Sequence, residues 1–193
     1  MQFTSSKKPS FFNTFAKSKS NNSKLKLMAK ALIFDWGNTI MVDFGFDGPM
    51  SEWKKVAWID GAENSLIKLN SKYICCIASG AENSGTKEII DALKRVGADK
   101  YFHHFFCSKD LGHKKPSPLF FQALADNIGI KTSECVMIGN SYEKDIIGAK
   151  NAGMKTILLN SNKNPEKFKK ADFIINSMEE INQIIEKIKY DNQ

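Results

Sequence analysis

The sequence predicts an α/β domain of three layers, with a mostly parallel sheet of five to six strands between helices. Three observations carry this. Short apolar runs alternate with amphipathic stretches along the chain. Those runs are apolar throughout, the pattern of parallel strands buried on both faces. The polar breaks at Asp35–Thr39, Ser79, Lys114–Lys115 and Asn140–Asp145 all fall on one edge of such a sheet. Open α/β sheets bind their ligands at that edge.

The 193 residues suffice for one core, and no apolar run approaches the ~18 residues needed to span a bilayer. The net charge of +7 is unevenly placed. Residues 1–27 hold six lysines (Lys7, Lys8, Lys17, Lys19, Lys24, Lys26) and no acid. The rest carries 22 basic against 21 acidic residues. A near-neutral body is a poor match for a phosphate backbone, so no nucleic-acid partner is expected. Cys75, Cys76, Cys107 and Cys135 lie in apolar runs without C-x-x-C spacing. They read as free buried thiols of a reducing compartment.

In chain order, residues 1–27 form a Ser/Lys/Asn-rich basic tail, expected to be disordered and dispensable. Phe11-Phe12 is too short for a secretory h-region. The tail shares its lack of acids with organelle transit peptides, but its charges are all lysine, and a cytoplasmic protein is expected. The folded domain is residues 28–193, with Met28 a natural start. Ala31–Phe34 is the first strand and ends in Asp35, with Gly37, Asn38 and Thr39 behind it. Taken alone, Asp35 reads equally as a helix cap or as a nucleophile and metal ligand.

Residues 41–60 form a flap punctuated by Gly45, Gly48 and Pro49. Its aromatics Phe44, Phe46, Trp53 and Trp58 either pin it to the body or line a pocket mouth. A helix follows over 61–71, then a strand over 73–78 closed by Ser79-Gly80. The Ile89, Ile90, Leu93, Val96 spacing predicts a helix over 83–96. A third strand is expected over 102–107. The adjacent His103 and His104 read as packing rather than a metal site. Ser117 caps a helix over 117–128, with Pro118 in its first turn. Later strands are expected at 135–139, 156–159 and 172–175. Helices are expected at 146–152 and 178–188, with a Lys/Asn loop over 160–170.

Four motifs in this order resemble the haloacid dehalogenase superfamily, whose members are mostly phosphatases. They are Phe34-Asp35-Trp36-Gly37-Asn38-Thr39, then Ile77-Ala78-Ser79, then Lys114-Lys115-Pro116, and Gly139-Asn140-Ser141 through Asp145 to Ala152-Gly153. The resemblance covers nearly all of residues 30–188. It implies a Rossmann-like fold and hydrolysis through an aspartyl-phosphate on Asp35. Thr39, Ser79, Gly80 and Lys115 would hold phosphoryl oxygens, with Lys114 the alternative to Lys115. Mg²⁺ would be held by Asp35, the Gly37 carbonyl, Asn140 and Asp145.

Two departures bear on function. The superfamily usually carries a general acid/base Asp two residues after the nucleophile, and Gly37 stands there. Asn140 stands where a second Asp is usual, which removes one negative charge from the Mg²⁺ site. The spacing from Asp35 to Ser79 and from Ser79 to Lys115 leaves no room for a large cap domain. An uncapped site suits a large phosphorylated substrate, or a small one enclosed by the flap or a neighbouring subunit. A Mg²⁺-dependent phosphohydrolase is therefore the leading expectation. The alternative is an inactive descendant that binds a phosphorylated ligand or a protein. A dehalogenase or phosphonatase fits the loss of the second Asp but not the missing cap.

Overall fold

The computed structural model describes residues 29–81, 84–160 and 165–190. The basic tail and Met28 lie outside the described residues. Six strands form one parallel sheet: β1 (Ala31–Phe34), β2 (Ile74–Ser79), β3 (His104–Cys107), β4 (Cys135–Gly139), β5 (Lys155–Leu159) and β6 (Phe173–Ile175). Their order is β3-β2-β1-β4-β5-β6. The order reverses between β1 and β4, which splays the connections apart there and opens a crevice at the strands' C-terminal ends.

The helices are α1 (Ala62–Leu69), α2 (Thr86–Lys94), α3 (Ser108–Leu111), α4 (Pro118–Asn127), α5 (Gly148–Asn151) and α6 (Ile181–Tyr190). Successive residues of a strand face opposite sides. Leu32, Phe34, Cys75, Ile77, Val136 and Ile138 thus join α1, α2 and α6 in one core layer. Ala31, Ile33, Cys76, Cys135 and Met137 meet α4 and α5 in the other. Adjacent Cys75 and Cys76 fall in different layers, and all four cysteines are buried and free.

Most boundaries fall within two or three residues of expectation, and two segments differ. The helix expected from Ile146 begins earlier, as a wide π-type turn over Tyr142–Ile147 that runs into α5. Ser141 Oγ accepts from Lys144 N (3.2 Å), and Asp145 Oδ2 accepts from Ser141 N (3.0 Å). These side-chain bonds shape the start of the turn, whereas apolar periodicity begins only at Ile146. The segment expected as a loop over 160–170 contains a short helical turn, Pro165–Phe168.

Between β1 and α1 the described residues hold one short turn, Met50–Glu52, and between β2 and β3 the helix α2 with one short turn behind it. No cap domain occurs among them. Trp58 pins the flap by donating from Nε1 to Val96 O (3.2 Å). Phe44 and Phe46 pack against the core layer. No helix among the described residues is long and apolar enough to cross a membrane.

Candidate active site

The β1/β4 crevice holds a cleft of about 440 Å³, lined by residues from four loops. Asp35 and Gly37 come from the end of β1, Ser79 and Gly80 from β2, and Asn140 and Asp145 from the end of β4. Lys115 comes from the loop before α4. Residues up to 110 positions apart in sequence thus meet because parallel strands end on one edge. Thr39 lies behind the wall, fully buried.

Asp35 is seated where its backbone continues the sheet, its N–H donating to Ile138 O (2.8 Å). Lys115 Nζ donates to Asp35 Oδ1 (2.9 Å) and Asp145 Oδ1 (2.7 Å). The Lys115 and Asp145 side chains are each 1% exposed, and that of Asp35 is 16% exposed. Burial raises the Asp35 pKa from 3.8 to about 6, the charge of Asp145 adds to this, and Lys115 opposes it. Burial pushes the Lys115 ammonium down, but the Asp145 and Asp35 charges outweigh it and hold its pKa above the ordinary lysine value. Two carboxylates therefore share one ammonium, which leaves one negative charge in a dry place.

Asp35 Oδ2 points the other way, 3.4 Å from the Thr39 hydroxyl that donates to it. One terminal atom of the Asn140 amide lies 3.1 Å from Gly37 O and 3.3 Å from Asp35 Oδ2. With nitrogen in that place, the amide donates to both oxygens. With oxygen there, three oxygens converge with only the Thr39 hydroxyl (3.4 Å) as a donor.

This convergence tests the fit of Mg²⁺. Octahedral coordination at ~2.1 Å sets neighbouring ligand oxygens roughly 3 Å apart. The Asn140 amide atom meets that spacing to both Gly37 O (3.1 Å) and Asp35 Oδ2 (3.3 Å), and rotation of the amide places either its nitrogen or its oxygen there. Asp145 is placed differently: its two oxygens are engaged by Lys115 and by Ser141 N. In this arrangement Asp145 holds Lys115. No group of three or more His, Cys, Asp or Glu side chains suited to a metal occurs among the described residues. The site depends on a carbonyl and an amide for its remaining oxygens.

Glycines shape the site as much as charges do. A Cβ on Gly139 would come 2.7 Å from Asp145 Cβ and closer to its carboxylate. One on Gly148 would come 2.5 Å from both Phe121 Cε2 and Pro116 O, so α5 packs directly on the backbone that follows Lys115. Ser79 Oγ accepts from Ala81 N (3.1 Å), which leaves the hydroxyl proton free to serve a ligand in the cleft. Lys114 is exposed.

The cleft also contains residues that sequence reasoning did not select: Trp36, Asp43, Met50, Ser84 and Lys144. Of the four flap aromatics only Trp53 lines it, and Trp53 is anchored by an Nε1 bond to Gly48 O (3.1 Å). For Asp43, the available clue was a carboxylate in a Gly-rich loop eight residues beyond the nucleophile.

The profile of the haloacid dehalogenase-like hydrolases matches residues 9–159. The chain belongs to this family. Glyceraldehyde 3-phosphate phosphatase of Methanothermobacter thermautotrophicus is 36% identical over 99 residues, 51% of this chain and 42% of that protein. The Pyrococcus furiosus protein of the same name is 29% identical over 134 residues, 67% of this chain and 55% of that one. The match thus spans about half the length of these curated relatives. Among solved structures, an uncharacterized protein from Listeria monocytogenes superposes with TM-score 0.73 and 24% identity, covering 83% of this chain and 99% of that one. A haloacid dehalogenase-family phosphatase from Thermococcus onnurineus gives 0.68 and 20%, covering 81% and 97%. The haloacid dehalogenase-like fold therefore extends over most of the chain.

Proposed function

We propose that this haloacid dehalogenase-like hydrolase is a Mg²⁺-dependent phosphomonoester phosphatase that works through an aspartyl-phosphate on Asp35. The observation that carries the reading is the divided environment of the Asp35 carboxylate. One oxygen faces the Lys115 ammonium at 2.9 Å, and the other lies 3.3 Å from the Asn140 amide, which also meets the Gly37 carbonyl at 3.1 Å. Asp35 attacks phosphorus, and the ester oxygen leaves. Water then attacks the same phosphorus and releases the Asp35 carboxylate, so one hard hydrolysis becomes two easier steps. Lys115 and the Ser79 hydroxyl bind phosphoryl oxygens and counter the charge that develops on them. Asp35, the Gly37 carbonyl and Asn140 would hold Mg²⁺, which supplies charge neutralisation so that a carboxylate can approach an anionic phosphoryl group.

The phosphatase names of the relatives support small phosphorylated metabolites as the substrate class. An uncapped cleft also accepts larger esters, or a second subunit over its mouth. Gly37 favours a second reading, a pocket that binds a phosphorylated ligand without turning it over.

The test is hydrolysis of 4-nitrophenyl phosphate by the native chain and Asp35→Asn, each with Mg²⁺ and with a chelator. The proposal requires turnover only by the native chain with metal. Absence of turnover, with Mg²⁺-dependent binding of inorganic phosphate retained, establishes the second reading.

A further inference from the structure

We infer that Asp43 moves the protons in this site, donating one to the departing oxygen and taking one from the attacking water. The inference rests on the phosphatase reading. It starts from a requirement of the chemistry: an alkoxide leaves poorly unless protonated, and water attacks poorly unless deprotonated. Among the described residues, the ionisable groups lining the cleft are Asp35, Asp43, Lys115, Lys144 and Asp145. Asp35 is the nucleophile. Lys115 and Asp145 are locked together out of solvent. Lys144, an ammonium, has no lone pair to accept a proton from water. Asp43 is the remaining group, and it is exposed to the cleft mouth.

The loop after β1 places it. The Trp36 carbonyl accepts from Ile40 N (2.9 Å) and Met41 N (3.1 Å), and Asn38 N donates to Met41 O (2.7 Å). Asn38 adopts a left-handed φ of 54°, which turns the chain back on itself. The Asn38 side-chain oxygen then accepts from Asp43 N (3.0 Å). This brings the Asp43 carboxylate beside Gly37. A Cβ built on Gly37 would lie 3.8 Å from both Asp43 Cβ and Asp43 Oδ2. The Asp43 side chain thus borders the space that a side chain at position 37 would enter. Its Oδ1 accepts from Gly45 N (2.9 Å), and no hydrogen bond engages Oδ2 among the described residues. One oxygen is anchored and the other is available for proton transfer.

The steps balance. In the first, the Asp35–phosphorus bond forms, the ester P–O bond breaks, and the proton of the Asp43 carboxyl passes to the leaving oxygen. In the second, the Asp43 carboxylate takes a proton from water as the water oxygen bonds phosphorus. The P–O bond to Asp35 breaks, phosphate leaves, and both side chains return to their starting forms.

The experiment uses the full chain with Mg²⁺ and compares native, Asp43→Asn and Gly37→Asp/Asp43→Asn proteins. Asparagine keeps the acceptor for Gly45 N and removes only the transferable proton. With 4-nitrophenyl phosphate, whose leaving group needs no proton, Asp43→Asn should release one equivalent of nitrophenolate per chain in a burst. Steady turnover should then fall by ~10²-fold or more, because the water step has lost its base. With glycerol phosphate the variant should show neither phase. The added Gly37→Asp substitution, whose Cβ meets only ordinary contacts, should restore turnover of both esters. Native-like turnover by Asp43→Asn, or loss of the nitrophenolate burst, overturns the assignment of Asp43 alone. Failure of the native chain to hydrolyse either ester overturns the phosphatase reading, and the Asp43 role with it.

Discussion

Lys115 Nζ lies 2.7 Å from Asp145 Oδ1, and each of these side chains is 1% exposed. The pair joins the loop before α4 to the turn after β4, and it aims the same ammonium at Asp35. Removing Asp145 leaves Lys115 paired with Asp35 alone and takes away the acceptors for one ammonium hydrogen and for Ser141 N, and a buried donor left unmet typically costs ~1–3 kcal/mol. Asp145→Ala should therefore lower stability by about that much and abolish activity. Denaturant unfolding checks the first effect. Asp145→Asn, which keeps an acceptor for Lys115, should lose less stability than Asp145→Ala.

Gly139 is the backbone against which Asp145 rests. A Cβ there would occupy the space of the carboxylate. Gly139→Ala should displace Asp145 and, through it, Lys115. We expect the proposed phosphatase rate to drop by more than ~10-fold, which corresponds to about 1.4 kcal/mol of activation free energy. Stability should fall by ~1–3 kcal/mol from overpacking.

Gly148 has a parallel role on the other side of Lys115, since its Cα faces Phe121 and the Pro116 carbonyl. Gly148→Ala would be favourable by helix propensity alone. Here it should destabilise by ~1–3 kcal/mol instead, because α5 must move away from the Lys115–Pro116 segment. A thermal melt distinguishes the two signs.

Asp35 has a stability cost that follows from its pKa. The folded value is raised from 3.8 to about 6, mainly by burial and then by Asp145. Across that window the folded chain binds more protons than the unfolded chain, so stability falls as pH rises through it. Asp35→Asn removes the charge and keeps the acceptor for Lys115. In the presence of a chelator, the variant should melt ~2–4 °C higher than the native chain at pH 8. The advantage should vanish below pH 3.8, where Asp35 is protonated in both states.

The sheet and most of the site were legible because they rest on short-range patterns. Ala31–Phe34 announces a buried strand, and Asp35 with Gly37 and Asn38 announces its exit. Four such exits from parallel strands must lie on one edge, which brings Ser79, Lys115 and Asn140 to Asp35 without knowledge of any distance. The contact of Asp145 with Lys115 was not legible, because it depends on packing against Gly139 and on the bond from Ser141 N. Asp43 was not legible either. Its approach to Gly37 depends on the left-handed turn at Asn38 and on hydrogen bonds inside a loop without periodicity.

The central claim is covalent chemistry at Asp35, and reductive trapping measures it most directly. The native chain, Mg²⁺ and 4-nitrophenyl phosphate are mixed and quenched with borohydride, which reduces an aspartyl-phosphate to homoserine. Peptide mass spectrometry should locate that change at Asp35 and at no other aspartate, with the signal absent from Asp35→Asn. Hydrolysis that proceeds at the native rate with Asp35 unmodified, or in Asp35→Asn, would contradict the account.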